Sequence, residues 1–329
     1  MGFLLSFIAG FAPMLLFAWF IYWLDRYEKE PRLLLGAVFV WGAIIAAGGA
    51  FLLNTLLGMG IYLFTGSEAA SNFTTGSVIA PFIEESLKGV AVLFVFLLFR
   101  MEFDSYIDGI VYAGIVALGF AATENVFYIY SMGYLENGLK GLLFLVFVRV
   151  LLVGWQHPFY TAFTGIGFAA ARLSRSLPVK FLAPAAGLFT AMIAHGIHNT
   201  LGDLLTGTEG MAFGTFWDWT GWIFMFLFIL WSISRDRQLI VKYLEEEADL
   251  GLITPDQYKT ACSAWAQSQA GFGALQQGRY RDTRRFYQVC AELSHKKDQR
   301  DRLGEEGKTA VVIEVLRHEL AGLAKVAYS

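Results

Sequence analysis

Long apolar stretches separated by short polar segments fill the first 233 residues of the chain. Each stretch is long enough to cross the hydrocarbon core of a bilayer as a helix. The stretches cover residues 2–23, 33–57, 78–99, 107–132, 142–171, 181–205 and 216–233. This pattern predicts an all-α protein, a polytopic membrane bundle of about seven transmembrane helices.

The fifth stretch, residues 142–171, is long for a single crossing and contains Pro158. Proline removes a backbone hydrogen bond from a helix interior and clashes with the preceding turn. We therefore expect this stretch to be kinked or divided near Pro158.

The remainder of the chain has a different composition, because residues 235–329 carry most of the charge. We predict a transmembrane domain over 1–235 and a helical cytoplasmic region over 236–329. Within that region, residues 237–250 read as a separate helix that Gly251 ends. Thr254 and Pro255 then form the start signal of the next helix.

Basic residues in the short loops predict the orientation, because cytoplasmic loops carry the excess of lysine and arginine. The basic residues follow the first, third, fifth and seventh stretches, whereas the alternate loops contain only Lys140. The protein is therefore expected in the cell membrane, with its N-terminus outside and its C-terminal region in the cytoplasm. The residues concerned are Arg26, Lys29, Arg32, Arg100, Arg172, Arg175, Lys180, Arg235, Arg237 and Lys242.

Composition supports this class of protein. Hydrophobic residues make up 56% of the 329 and charged residues only 16%, whereas soluble proteins average about 45–50% and 25%. The mean hydropathy is +0.51. The net charge of −3 indicates no partner by itself, but the hydropathy favours the lipid bilayer as a partner and argues against nucleic acid.

Only a few ionisable side chains lie inside the predicted membrane helices. Because a charge at the bilayer centre costs at least about 2.5–3.5 kcal/mol, residues that persist there usually have a function. Arg149 is the exception, since its long side chain is expected to extend towards the outer headgroups. The set is Glu84, Glu85, Lys88, Glu124, Arg149, His157, His195 and His198, with Asn199 beside them.

These polar residues are expected at similar depths in the outer half of the membrane. At 1.5 Å per residue, Glu84 and Glu85 lie about 10 Å below the outer face, Glu124 about 12 Å and His195 about 15 Å. His157 is expected somewhat deeper. Polar groups from several helices would therefore meet in one layer.

Helical spacing divides the roles of the acidic residues. Lys88 is three residues from Glu85 and four from Glu84, so it can neutralise one of the two carboxylates. The other carboxylate, without a cation of its own, suits general-base activation of water. Asn199 and a histidine can donate hydrogen bonds to an oxyanion. A water, a base and an oxyanion site are the parts needed to hydrolyse an amide.

Four motifs in these helices carry a family resemblance. EESLK at 84–88 resembles the EExxK motif of the PrsW family of bacterial intramembrane proteases, in the CAAX-protease-like superfamily. FAATE at 120–124 is similar to the second motif, FxxxE, and His157 to the third, an isolated histidine. HGIHN at 195–199 is similar to the fourth, HxxxN or HxxxD. The resemblance covers roughly residues 1–235.

The resemblance implies an intramembrane endopeptidase. In it Glu84 would activate water, and Glu85 would be held by Lys88 or support it. Glu124 and His157 would be further polar groups at the reaction centre. The implied substrate is a membrane-embedded or membrane-adjacent protein cleaved near the outer leaflet. One implied role is site-one cleavage of a transmembrane anti-sigma factor, and another is peptide maturation.

The resemblance leaves the cofactor open. His195 and Asn199 would bind metal or stabilise the oxyanion. Zinc at a catalytic site takes about three protein ligands, and Glu124, His157 and His195 could supply them. Related membrane enzymes instead act as glutamate-dependent peptidases, so a divalent metal and a metal-free mechanism are both expected alternatives.

Two other classes of function compete with a peptidase. An ion-coupled transporter also uses buried acids and histidines, but it predicts repeated halves with broken helices, and the sequence has no internal repeat. A non-catalytic membrane scaffold of the same fold is the second alternative. The ordered motifs favour the peptidase over both.

Overall fold

The computed structural model describes residues 1–25, 27–205, 207–305 and 309–327. Within these ranges the chain is almost entirely helical and contains no β-strand, which confirms the predicted all-α class. Arg26 of the predicted first cytoplasmic loop lies outside the described residues. So do residues 306–308, 328 and 329 of the predicted C-terminal region.

The chain divides into two compact units. The membrane unit comprises Met1–Leu24, Glu30–Arg172 and Pro178–Phe228. The C-terminal unit comprises Asp25–Lys29, Leu173–Leu177 and Ile229–Ser329. The functional division at residue 235 stays a prediction.

The helices of the first part of the chain carry all the residues predicted to react. Short π-helical segments interrupt several of them. The helices are α1 (Gly2–Leu24), α2 (Arg32–Val40), α3 (Ala47–Thr65), α4 (Glu68–Thr74), α5 (Ala80–Leu98), α6 (Tyr106–Tyr128), α7 (Leu135–Val146), α8 (Gln156–Arg172), α9 (Leu177–Leu204) and α10 (Thr208–Asp249).

Five helical stretches among the described residues are long and apolar enough to cross a membrane. Helix α5 is of similar length, but Glu84, Glu85 and Lys88 make it more charged than these five. The count of about seven crossings stays a prediction. The five stretches are Gly2–Leu24, Arg32–Thr65, Tyr106–Arg172, Leu177–Leu204 and Glu209–Asp249.

The predicted division near Pro158 is confirmed. A π-helical segment, Phe147–Leu152, follows α7, and residues 153–155 leave the helical conformation before α8 begins at Gln156. Pro158 therefore lies in the first turn of α8, where a helix needs no backbone N–H from it. This break gives His157 its position at the start of a new helix.

Helix α6 is the central helix of the membrane unit, since residues 107–122 are all buried. It crosses α8 with the two backbones in contact. A Cβ atom added to Gly109 would lie 2.3 Å from the carbonyl oxygen of Gly165, and one added to Gly165 would lie 2.0 Å from that of Gly109. Small residues permit such close packing between membrane helices. The contact fixes Glu124 on α6 relative to His157 on α8.

Helix α10 is longer than predicted. The sequence separates a membrane span at 216–233 from a helix at 237–250, but α10 continues through both. No glycine or proline lies between residues 222 and 250 to interrupt it. Gly251 follows with a φ of +70°, as the predicted stop requires.

The C-terminal unit has its own apolar core. Its further helices are α11 (Pro255–Ala261), α12 (Ala264–Gln276), α13 (Tyr280–Leu303) and α14 (Thr309–Val326). Helix α11 begins with the predicted cap, because Thr254 and Gln257 form a reciprocal capping box. The core includes Ile240, Leu244, Phe286, Cys290, Leu293, Ile313 and Leu320.

Candidate active site

Several helices of the membrane unit contribute polar side chains to one cavity of about 730 Å³. Helix α5 contributes Glu84, α6 Glu124, α8 His157, and α9 both His195 and Asn199. The sequence predicts these groups in a common layer, and the structure places them around a common space.

Glu85 and Lys88 lie behind the cavity and form a neutralised pair. Both side chains are 0% exposed, and Lys88 Nζ donates to Glu85 Oε1. The spacing allowed Lys88 to neutralise either Glu84 or Glu85, and the structure pairs it with Glu85. Thr161 Oγ1 donates to the other oxygen, Oε2, at 2.8 Å. Glu85 is thus saturated with donors and is suited to holding neighbours in place.

One of those neighbours is His195. Its Nδ1 lies 3.0 Å from Glu85 Oε1. Because a carboxylate only accepts hydrogen bonds, the proton of a neutral His195 is assigned to Nδ1. The other nitrogen, Nε2, then carries a lone pair. The same arrangement of carboxylate, imidazole and free nitrogen orients histidines that bind metals.

Glu84 faces that lone pair. Its Oε2 lies 3.9 Å from His195 Nε2, and this buried oxygen has no hydrogen-bond donor among the described residues. Its Oε1 accepts from Asn54 Nδ2 at 3.3 Å. Two acceptor atoms therefore face one another in a buried place, which is unfavourable unless a water or a cation lies between them.

Glu124 has a different environment, because Arg149 and His157 both contact its Oε2. His157 Nε2 lies 2.9 Å from this oxygen, and Arg149 Nη2 donates to it. Arg149 also donates to Asn125 Oδ1 at 2.9 Å and covers the ring of Tyr128. The expectation that Arg149 extends to the headgroups is wrong, because an acid deeper in the helix bundle attracts it.

His157 has a contact at each ring nitrogen. Lys88 Nζ lies 3.4 Å from Nδ1, and Glu124 Oε2 lies 2.9 Å from Nε2. Since the lysine only donates, Nδ1 accepts and Nε2 carries the proton in this arrangement. His157 would have to release one of these contacts to bind a metal.

Asn199 contributes an amide to the cavity wall. One N–H of its Nδ2 donates to the carbonyl oxygen of Gly76 at 2.8 Å. An amide nitrogen has two N–H groups, so a second donor remains. That donor is available to a group in the cavity.

The side chains fit a divalent metal. Glu84, His157 and His195 each offer one ligand atom, and these atoms lie within 4.8 Å of one another. Tetrahedral ligands at 2.0–2.2 Å from zinc lie about 3.3–3.6 Å apart, so Glu84 Oε2 and His195 Nε2, now 3.9 Å apart, would move together by a few tenths of an ångström to hold one ion. The carboxylate in this group is Glu84, whereas the set expected from the sequence uses Glu124. That earlier set stays a prediction.

Sequence reasoning missed an acid beside the site. Asp218 on α10 is 0% exposed and accepts a 2.5 Å hydrogen bond from the hydroxyl of Tyr160 on α8. It lies only two residues inside the predicted stretch 216–233, among tryptophans, so it reads as part of the membrane interface. Its charge within an apolar stretch was the signal that could have identified it.

Comparison with known proteins gives a consistent family. The model of a family described as "PrsW family intramembrane metalloprotease" matches residues 30–232. Protease PrsW of Geobacillus kaustophilus is 30% identical over 193 residues, which are 59% of this chain and 77% of that protein. Protease PrsW of Bacillus subtilis is 27% identical over 225 residues, 68% of this chain and 89% of that protein. No solved structure matches the chain.

Proposed function

Since this chain belongs to the PrsW family of intramembrane metalloproteases, we propose that its cavity hydrolyses a peptide bond with a water activated by Glu84. The chain is an intramembrane endopeptidase, and its helices suit a multi-pass membrane protein. We further propose which residues react, which cofactor is held and which class of substrate is cut.

One observation supports Glu84 above the other acids. Its Oε2 is buried, accepts from no donor in the part of the chain that the structure describes, and faces His195 Nε2 at 3.9 Å. A water between them can donate one O–H to each atom, which leaves its own lone pairs for attack. Glu85 is saturated by Lys88, Thr161 and His195, and Glu124 is neutralised by Arg149, so both accept a proton less readily.

The proposed reaction moves one proton through Glu84. Glu84 Oε2 takes the proton as the water oxygen bonds to the peptide carbonyl carbon, and the carbonyl oxygen gains negative charge. The second N–H of Asn199 donates to that oxygen. Glu84 then returns the proton to the amide nitrogen as the carbon–nitrogen bond breaks. His195 holds the water, and Glu85 holds His195.

A divalent metal, proposed as zinc, would be held by Glu84, His157 and His195. The donor chemistry supports this set, because one carboxylate and two imidazoles are common ligands of catalytic zinc. When bound, zinc supplies Lewis-acid polarisation of the carbonyl group. Glu84 Oε2 cannot be both ligand and base, so the metal content of a Glu84 variant distinguishes the two roles.

The proposed substrate is a membrane protein whose chain enters the cavity from the bilayer. From the orientation predicted by the basic loops, cleavage is proposed near the outer leaflet, with the C-terminal region in the cytoplasm. Site-one cleavage of a transmembrane anti-sigma factor is the role that we propose for such an activity.

The test uses the full chain reconstituted in liposomes with a labelled single-span membrane protein as reporter. Glu84→Gln keeps the shape of the side chain but removes its basicity, so we expect cleavage to fall by about 10²–10⁴-fold. Exposed Glu136 on α7 gives the matched control, Glu136→Gln, which should cleave at the wild-type rate. Wild-type cleavage by Glu84→Gln would refute the mechanism.

Metal analysis of the same samples tests the cofactor separately. If zinc is held as proposed, wild type contains about one zinc per chain and His195→Ala loses it. Zinc retained in Glu84→Gln would identify Glu84 as the base, and zinc lost from it would identify Glu84 as a ligand.

A further inference from the structure

Asp218 is a buried acid that no step of the proposed reaction uses. It lies on α10, 0% exposed, in the membrane unit. A carboxylate in such a place is unfavourable unless donors surround it. Tyr160 on α8 donates to one of its oxygens, and His198 on α9 lies beside the other. Asp218 therefore joins three helices at one point.

The first partner is Tyr160 on α8. Its hydroxyl donates to Asp218 Oδ1 at 2.5 Å, and its side chain is also 0% exposed. The ring of Tyr160 stacks on the ring of His195, with centroids 5.0 Å apart and planes 19° apart. Asp218 thus fixes the hydroxyl end of the ring that supports one face of His195.

The second partner is His198 on α9, three residues after His195. Its Nδ1 lies 2.9 Å from Asp218 Oδ2, although the atoms are not aligned as a hydrogen bond. Trp217, next to Asp218, donates from Nε1 to the carbonyl oxygen of Ala194 at 3.1 Å. Helix α10 is therefore tied to α9 on both sides of His195.

Small residues let α10 approach these helices. A Cβ atom added to Gly221, one turn after Asp218, would lie 2.1 Å from the ring of Phe159. One added to Gly214, one turn before Asp218, would lie 3.5 Å from His198. Gly221 therefore brings the α10 backbone close to α8, where a short aspartate side chain can reach Tyr160, whereas the distance at Gly214 is an ordinary van der Waals contact.

The orientation of His195 determines the direction of its Nε2. Glu85 fixes the Nδ1 side, the ring of His157 meets the His195 ring edge-on at 5.2 Å, and Tyr160 covers one face. Without the anchored Tyr160 ring, His195 could tilt about its bond to Glu85. Its Nε2 would then move away from Glu84, and the water between them would lose its alignment.

We propose that Asp218 is a positioning residue of the protease, which acts through the Tyr160 hydroxyl to hold the His195 ring in its reactive orientation. This inference rests on the proposed function. It adds α10 to the helices on which the reaction depends.

A purely structural role is the competing explanation, because polar side chains also join membrane helices without any catalytic effect. In that case Asp218 variants would melt at lower temperature, while the folded fraction would cleave at the wild-type rate. Positioning instead predicts a lower kcat in folded protein with KM unchanged, because the substrate still binds.

The test compares variants in the liposome assay and measures kcat, KM and the melting temperature. Tyr160→Phe removes one hydroxyl and keeps the ring, and Asp218→Ala removes its acceptor. Both should lower kcat by about 10–100-fold, since displacing a catalytic group by about 1 Å costs about 10²-fold. KM should change less than about twofold. The matched control is Phe224→Ala on the exposed face of the same helix, which should leave kcat unchanged.

Two further variants sharpen the result. Asp218→Asn keeps an oxygen that accepts from Tyr160, so it should restore most of the kcat lost in Asp218→Ala. The double variant Tyr160→Phe/Asp218→Ala should be no slower than Asp218→Ala alone, because the two residues act in series. If Asp218→Ala does not fold, Tyr160→Phe decides the question, because it removes only the hydroxyl that donates to Asp218.

The outcomes separate this inference from the proposed function. Loss of cleavage in Glu84→Gln together with wild-type kcat in Tyr160→Phe would overturn the positioning role and leave the proposed function standing. Wild-type cleavage in Glu84→Gln would overturn the proposed function. Independent, multiplying effects of Tyr160→Phe and Asp218→Ala would also overturn the coupling through the Tyr160 hydroxyl.

Discussion

Two buried lysines, one in each unit, have similar partners but different surroundings. Lys88 in the membrane unit is 0% exposed and pairs with Glu85, and Lys297 in the C-terminal unit is 1% exposed and pairs with Glu247. Each lysine neutralises a glutamate that is also fully buried. By burial and charge alone, the two clusters look equally like an active site.

The clusters differ in the hydrogen-bond acceptors that remain once the lysine and the glutamate have paired. Around Lys297, Glu246 and the carbonyl oxygen of Tyr243 accept further hydrogen bonds from its Nζ, and Arg317 supplies a second cation to the glutamates. Around Lys88, the adjacent Glu84 has an oxygen, Oε2, that accepts from no donor among the described residues and faces a cavity. A buried ion pair alone therefore does not mark a site. The proposed site rests instead on a buried acceptor that faces a cavity without a donor among the described residues.

The largest expected effect is at Lys88. Lys88→Met removes the cation of a buried pair, so we expect a loss of about 3–5 kcal/mol in the free energy of unfolding. Cleavage should also be lost. Without the cation, Glu85 attracts protons away from its remaining neighbours, Thr161 and His195. Thermal denaturation in detergent and the reporter assay measure the two effects.

Replacing the whole pair separates stability from chemistry. Glu85→Leu/Lys88→Met removes both charges, and such replacements are often neutral for stability. We expect the double variant to regain most of the lost stability but not the cleavage, because His195 Nδ1 no longer has its acceptor. Recovery of both together would show that the pair has only a structural role.

A smaller effect is expected at Lys297. Lys297→Met should cost about 3 kcal/mol or less, below the usual range for a broken buried pair, because Arg317 still neutralises Glu247. At temperatures where the chain is folded, cleavage should stay within twofold of wild type, since the residues proposed to react all belong to the membrane unit. A Lys297→Met protein that is folded but inactive would contradict the contrast between the clusters.

The smallest effect concerns Cys290 in the C-terminal core. Burial raises the pKa of its thiol well above the usual value, and only the thiolate reacts rapidly with alkylating agents. In a Cys262→Ser background, iodoacetamide should therefore label Cys290 slowly at pH 8.5. Lys297→Met should accelerate labelling and Lys88→Met should not, because only the first loosens the surrounding unit.

The raised pKa also gives this thiol a defined effect on stability. The folded state disfavours the thiolate, so stability from this group is fully present below the unfolded pKa of about 9 and is lost as the pH rises above it. Denaturation at pH 8 and pH 10 in wild type and Cys290→Ala checks the sign. The variant should lose less stability between the two pH values.

Local patterns predicted much of this molecule. Residues within one or two helical turns determine the break before Pro158 and the cap at Thr254, so local patterns are enough to predict them. Spacing also shows that Lys88 can reach Glu84 or Glu85, and the structure shows that it pairs with Glu85. The motif residues could be assigned to separate helices for the same reason.

Contacts between distant helices could not be predicted in this way. His195 lies 110 residues from Glu85, and Asp218 lies 58 from Tyr160. Periodicity shows which face of a helix is polar but not which other face it meets. Arg149 was misplaced for this reason, because a long cation can reach headgroups or a buried acid, and only packing decides which.

The backbone hydrogen bonds of a helix constrain the form in which a substrate can react. Within a helix each carbonyl oxygen already accepts a hydrogen bond from the N–H four residues later, whereas the proposed reaction needs that oxygen to accept from Asn199. If the proposed function holds, a transmembrane segment would have to unwind locally before it is cut, and segments weakened by glycine or proline would unwind most readily.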